Sequence, residues 1–94
     1  MTKDRRYRKR DGVSVAELSD HELVARSPDQ SHAVVLNPTA SAILELCDGS
    51  RTLAEIAHFL ATELEGPPRS SIEKDVVALV QELKAANVLE EVAE

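Results

Sequence analysis

The only thiol in this 94-residue chain is Cys47, and its only imidazoles are His21, His32 and His58. A nucleophilic cysteine needs a nearby base and an electropositive setting. Cys47 instead follows Ala40, Ile43 and Leu44 at three- and four-residue spacing, which puts it on an apolar helix stripe and in the core. The histidines are scattered, with no paired spacing and no cysteine partner, so no zinc site is expected. Gly12, Gly49 and Gly66 stand too far apart to build a phosphate loop and read as turns. Glu63, Glu65, Glu73 and Asp75 are spread along helical segments, where a solvated face accounts for them. No catalytic residue, metal ligand set or cofactor is expected. The chain reads as a non-enzyme.

The elements that organise these residues centre on Leu36 to Ile56. Asn37 is a good N-cap, because its side-chain oxygen can accept a free N–H of the first turn. Pro38 follows at the first helical position, where no N–H is required. Asp48-Gly49 stops that helix. Thr52 and Glu55 then form a capping box that starts a second helix, with Leu53, Ile56, Ala57 and Leu60 as its stripe. The spacing predicts helix, tight corner, helix. After the break at Glu65-Gly66-Pro67-Pro68, Ser70 and Glu73 offer another capping box. A third helix is predicted to run to about Ala86, with Asn87 ending it and Val88 to Val92 as a short extended tail.

Upstream, three short strands are predicted, with Val13 and Val15 in the first, Glu22 to Ser27 in the second and Ser31 to Leu36 in the third. Ser19-Asp20-His21 and Pro28-Asp29-Gln30 supply the turns of an antiparallel meander. In the second strand, Leu23 and Ala25 fall on one side, Val24 and Arg26 on the other. The fold class is therefore α+β and winged helix-turn-helix-like: a three-stranded antiparallel sheet followed by a three-helix bundle. Residues 12–94 form one domain, and residues 1–11 read as a basic flexible tail without apolar periodicity.

Charge separates the candidate functions. Residues 1–10 hold six basic side chains and one acid, a net +5, so the rest carries −11 of the total −6. A helix that reads DNA must neutralise phosphates. The third helix offers Lys74 and Lys84, with Arg69 before it, against Glu73, Asp75 and Glu82. That balance argues against nucleic acid. A winged-helix DNA-binding regulator or an interaction scaffold is the alternative reading. A lone cysteine on an apolar stripe suits a reducing, cytoplasmic setting, and no run is long enough to span a membrane.

The third strand suggests a different activity. If Ser31 to Leu36 lies at the sheet edge, its unpaired N–H and C=O groups can take an extended peptide as an added strand. The third helix carries Ile72, Val76, Val77, Leu79, Val80 and Leu83, a stripe wider than one neighbouring face needs. Part of it would pack on the core and the rest would form the other wall of a groove. The same edge could pair with a second copy, so the chain is expected as a monomer or as a homodimer through that edge.

An extended segment ending in Leu36-Asn37-Pro38, a short helix, then Asp48-Gly49, Thr52 and Glu55-Ile56 resembles the PqqD family. Asp75-Val76, Leu79-Val80, Glu82-Leu83 and the ending Val88-Leu89 fit it as well. The resemblance implies a recognition element for ribosomally made peptides. Such an element binds the leader of a precursor peptide as an extra strand and presents it to a modifying enzyme, in the founding pathway of pyrroloquinoline quinone a radical SAM protein. Carried over by position, the contacts implied are His32, Ala33, Val34, Val35 and Leu36 on the strand, with Ile72, Asp75, Val76, Leu79, Val80 and Leu83 on the helix. Asp75 could pair with a basic leader residue. Asn37, Pro38, Asp48, Gly49 and Thr52 match the family motif as caps and turns. The chain departs from the family in lacking the aromatic often found in the third strand, where it has His32-Ala33, and in its basic N-terminus.

Overall fold

The computed structural model describes residues 4–63 and 68–92. The elements run β1 (Arg6–Lys9), β2 (Ser14–Ser19), β3 (Glu22–Arg26), β4 (Ala33–Leu36), α1 (Pro38–Leu46), β5 (Asp48–Thr52), α2 (Leu53–Glu63), α3 (Arg69–Ala85) and β6 (Leu89–Glu91). They form two three-stranded antiparallel sheets, ordered β2-β3-β4 and β5-β1-β6, with three helices.

The first sheet is the expected meander. Leu23 pairs with Leu36, Val24 with Val35, Ala25 with Val34 and Arg26 with Ala33. Side chains alternate across a strand, so Leu23, Ala25, Val34 and Leu36 share the inner face. Ala25 and Leu36 are fully buried, and Val34 packs against the core. The ordered strand begins at Ala33, because Ser31 and His32 belong to the preceding turn.

The helix signals act as their chemistry dictates. Asn37 Oδ1 accepts the Ala40 N–H at 2.8 Å, with Pro38 opening α1. At α2, Glu55 Oε1 accepts the Thr52 N–H at 2.9 Å and Thr52 Oγ1 accepts the Glu55 N–H at 3.1 Å, the reciprocal pair of a capping box. α3 departs from expectation: it starts at Arg69 with Pro68 as its N-cap and no side-chain cap bond, so Ser70 lies inside the helix. Its other end is closed by Asn87 at φ +62°, with the Asn87 N–H on Lys84 C=O and the Val88 N–H on Leu83 C=O. This pair of bonds is a Schellman closure with asparagine in the left-handed position.

The second sheet corrects the reading in two places. Residues 6–9, expected in a solvated tail, form the central strand between β5 and β6. One side chain accounts for this, since Tyr7 is 1% exposed and joins the core. The flanking cations are held too: Arg5 pairs with Glu91 and Arg8 with Glu90. Asp48–Thr52, expected as a corner, is a strand against β1. Its first turn is set by Asp48, whose Oδ1 accepts both the N–H and the hydroxyl of Ser50, while Gly49 takes φ +87°. That positive φ suits glycine.

One core joins these layers. Tyr7, Leu36, Ile43, Cys47, Leu53 and Ile56 are all 2% exposed or less, as are Val76, Val80, Leu83 and Leu89.

Candidate functional site

β4 is an edge strand, and the direction of its free backbone groups can be worked out. Ser27 N–H donates to His32 C=O at 3.0 Å, so Ser27 and His32 are a hydrogen-bonded pair. Bonded and non-bonded pairs alternate along an antiparallel ladder. In this register Val34 bonds Ala25 and Leu36 bonds Leu23, while Ala33 and Val35 point their N–H and C=O groups away from β3. The open edge therefore presents four strand-pairing groups, at Ala33 and Val35.

The turn before β4 holds that edge in phase. Ser27 is fully buried, and its hydroxyl donates to Asp29 Oδ1 at 2.7 Å while accepting the His32 N–H at 3.1 Å. The same Asp29 oxygen accepts the Ser31 hydroxyl at 2.6 Å and the Ser31 N–H at 3.0 Å. Gln30 between them sits at φ +65°. The Ser31 hydroxyl and N–H, then the Ser27 hydroxyl, hold the Asp29 carboxyl far below the usual carboxylate range. Hydrogen bonds to a carboxylate favour its charged form. Ser31 Oγ also lies 2.9 Å from His32 Nδ1.

The structure divides the eleven residues singled out from the sequence. Leu36, Ile72, Val76, Val80 and Leu83 are 5% exposed or less, and their side chains form part of the core behind the surface. His32, Ala33, Val35 and Asp75 are exposed, and Val34 and Leu79 are half-buried at the core's margin. On α3, Val77 and Leu79 flank the buried stripe on opposite sides, as 100° per residue requires. Gln81, one turn beyond Val77, reaches Tyr7 Oη of β1 at 3.5 Å. The Asp75–Leu79 flank is thus the side turned away from that contact. Val35 is 53% exposed on the outer face of the first sheet, a large apolar side chain at an open edge.

Sequence reasoning missed two features. Val35 lies on the outer face with Val24 and Ala16, its neighbours across β3 and β2, an apolar row in which Val24 is covered and Val35 stays 53% exposed at the edge. Arg26 stands beside Ala33 on the same face. The alternation of Val24 and Arg26 against Leu23 and Ala25 was the available signal, and only the register shows which pairs meet. A separate concavity of about 490 Å³ lies along α2 beside Arg51, His58 and Phe59, and among the described residues none of β4 or α3 lines it.

Other reactive groups are quiet. Burial, then the Asp48 carboxylate, pushes the Cys47 thiol up to about 12. Among the described residues no group of three or more acids, histidines and cysteines could hold a metal ion. No described helix is long and apolar enough to cross a membrane.

Comparison with known proteins places this geometry in a family. The family model for coenzyme PQQ synthesis protein D (PqqD) matches residues 22–89. The PqqA binding protein of Gluconobacter oxydans (strain 621H) is 42% identical over 66 residues, which span 70% of this chain and 66% of that protein. A lasso peptide synthetase B1 solved in complex with the leader peptide superposes with a TM-score of 0.74 at 31% identity, over 89% of this chain and 96% of the other. The PqqD truncation of Methylobacterium extorquens PqqCD, a stand-alone recognition element for ribosomally made, modified peptides, gives 0.74 at 26% identity, over 96% and 93%.

Proposed function

The chain belongs to the PqqD family, and on that premise we propose that it is a non-catalytic, cytoplasmic peptide chaperone. It binds the leader of a ribosomally made precursor peptide by strand addition at β4 and presents it to a modifying enzyme, of radical SAM type in the founding pathway. The observation that carries this is the outward phase of Ala33 and Val35 on an edge strand. A peptide laid along that edge gains up to four ladder bonds, at about 1 kcal/mol net each. Its inward side chains would meet the margin formed by Val34 and by the Asp75–Leu79 flank of α3. The contacts we assign to the peptide are His32, Ala33, Val34, Val35, Asp75 and Leu79. Leu36, Ile72, Val76, Val80 and Leu83 act by holding the two walls in place.

Support comes from two directions. The Gluconobacter relative is a PqqA binding protein, and the lasso synthetase B1 was solved holding a leader peptide. The lone thiol, Cys47, is buried, and burial raises its pKa to about 12.

Two proline substitutions test the reading against each other. Val35→Pro removes an N–H that β3 does not use, so the sheet stays intact while the ladder with a peptide is broken. Val15→Pro does the same at the opposite edge, where the alternation also turns Val15 outward. With the fold checked by circular dichroism, leader peptides encoded beside the gene should bind the Val15→Pro protein normally. They should bind the Val35→Pro protein at least about fivefold more weakly, the worth of one bond. Equal binding to both variants would sink strand addition at β4.

A further inference from the structure

We infer that Arg26 makes this edge selective for an acidic residue in the bound peptide, placed two positions from an apolar one. The inference rests on strand addition at β4 and concerns which peptides that edge accepts.

The geometry runs from the register. Arg26 and Ala33 are directly opposed, as are Val24 and Val35, so all four share the outer face. Ala16 and Ser14 continue the two rows on β2. A peptide bonded to Ala33 and Val35 places the residues opposite them on that same face, because opposed residues in a ladder point the same way. The residue opposite Val35 prolongs the row Ala16–Val24–Val35. Val35 is 53% exposed there, and a β-branched or aromatic partner would cover it.

The residue opposite Ala33 prolongs the other row, Ser14–Arg26–Ala33. It lies two strands from Arg26, about 9–10 Å between backbones at the usual strand spacing. An extended arginine and a glutamate or aspartate can close that gap over a methyl group, which a larger side chain at position 33 would obstruct. Arg26 is exposed and makes no ion pair or side-chain hydrogen bond with any described residue. It is the one cation of the two rows that border the edge.

The worth of such a contact is modest. An exposed ion pair changes affinity by about 1.4- to fivefold, and replacing attraction by repulsion roughly squares that. It is enough to bias a selection.

The test is a display selection of random ten-residue peptides on the folded chain and on Arg26→Glu, with circular dichroism confirming both folds. We expect the wild type to enrich peptides carrying Asp or Glu two positions from Val, Ile, Tyr or Phe. Arg26→Glu should enrich Lys or Arg at that position and leave the apolar one unchanged. Selected peptides that shift the Ala33 and Val35 amides in NMR but show no charge preference, or the same one in both proteins, would overturn this inference and leave strand addition standing. Failure to enrich any peptide that shifts those amides would overturn both.

Discussion

Ser27 and His32 are joined twice, by the Ser27 N–H on His32 C=O at 3.0 Å and by the His32 N–H on Ser27 Oγ at 3.1 Å. This link sets the phase of the β3–β4 ladder, and so decides which residues of β4 face the open edge. Ser27→Ala would strip the His32 N–H of its acceptor and Asp29 of one donor. The variant should lose about 1–3 kcal/mol, read from urea melts, and its β4 amides should exchange faster than those of α2.

The acid limb of stability should depend on the same turn. The folded state lowers the Asp29 pKa, through the Ser31 hydroxyl and N–H and then the Ser27 hydroxyl. A group depressed on folding gives stability that is complete above its unfolded pKa, near ~3.9, and lost as pH falls below it. Asp48 and Glu55 are lowered in the same way by Ser50 and Thr52. Melting temperature should therefore fall below pH ~4, and Asp29→Asn should flatten part of that slope.

Tyr7 should be worth more to the fold than any other residue before Gly12. It is 1% exposed in the core, on a strand otherwise made of cations. Tyr7→Ala should cost about 3–5 kcal/mol, as large aromatic truncations do. Tyr7→Phe gives up only the 3.5 Å contact with Gln81 and should stay within ~1 kcal/mol in urea melts.

Cys47 should behave as an inert apolar group. It is fully buried, with its thiol pushed up to about 12. An aromatic disulfide reagent at pH 8 should label it only at the rate at which the chain unfolds. Fast labelling of the folded chain would mean that the α1 stripe opens.

The local signals were legible where one residue type answers one backbone need. Asn37 and the Thr52–Glu55 pair each complete bonds within four residues, so the sequence alone locates them. The meander was legible because its turns and alternation are local. The second sheet was not, because β1 must find partners 40 or more residues away at β5 and 80 or more at β6. A single tyrosine among arginines gives no periodicity to read. The site split along the same line. Position placed Ala33 and Val35 at an edge, but only the Ser27–His32 bond shows that their backbone groups face outward. The wide stripe of α3 mixed core and margin, and Ile72, Val76, Val80 and Leu83 proved to be core.

Strand addition requires a peptide to pair with the outward groups of β4. The most direct measurement is an amide NMR titration with leader peptides encoded beside the gene, followed by hydrogen exchange on the complex, with duplex DNA as control. Saturable shifts at Ala33, Val35 and the Asp75–Leu79 flank are predicted, together with new exchange protection of the Ala33 and Val35 N–H groups. Peptide binding that leaves those two amides exchanging as fast as before, or salt-sensitive shifts with DNA along α3 instead, would contradict it.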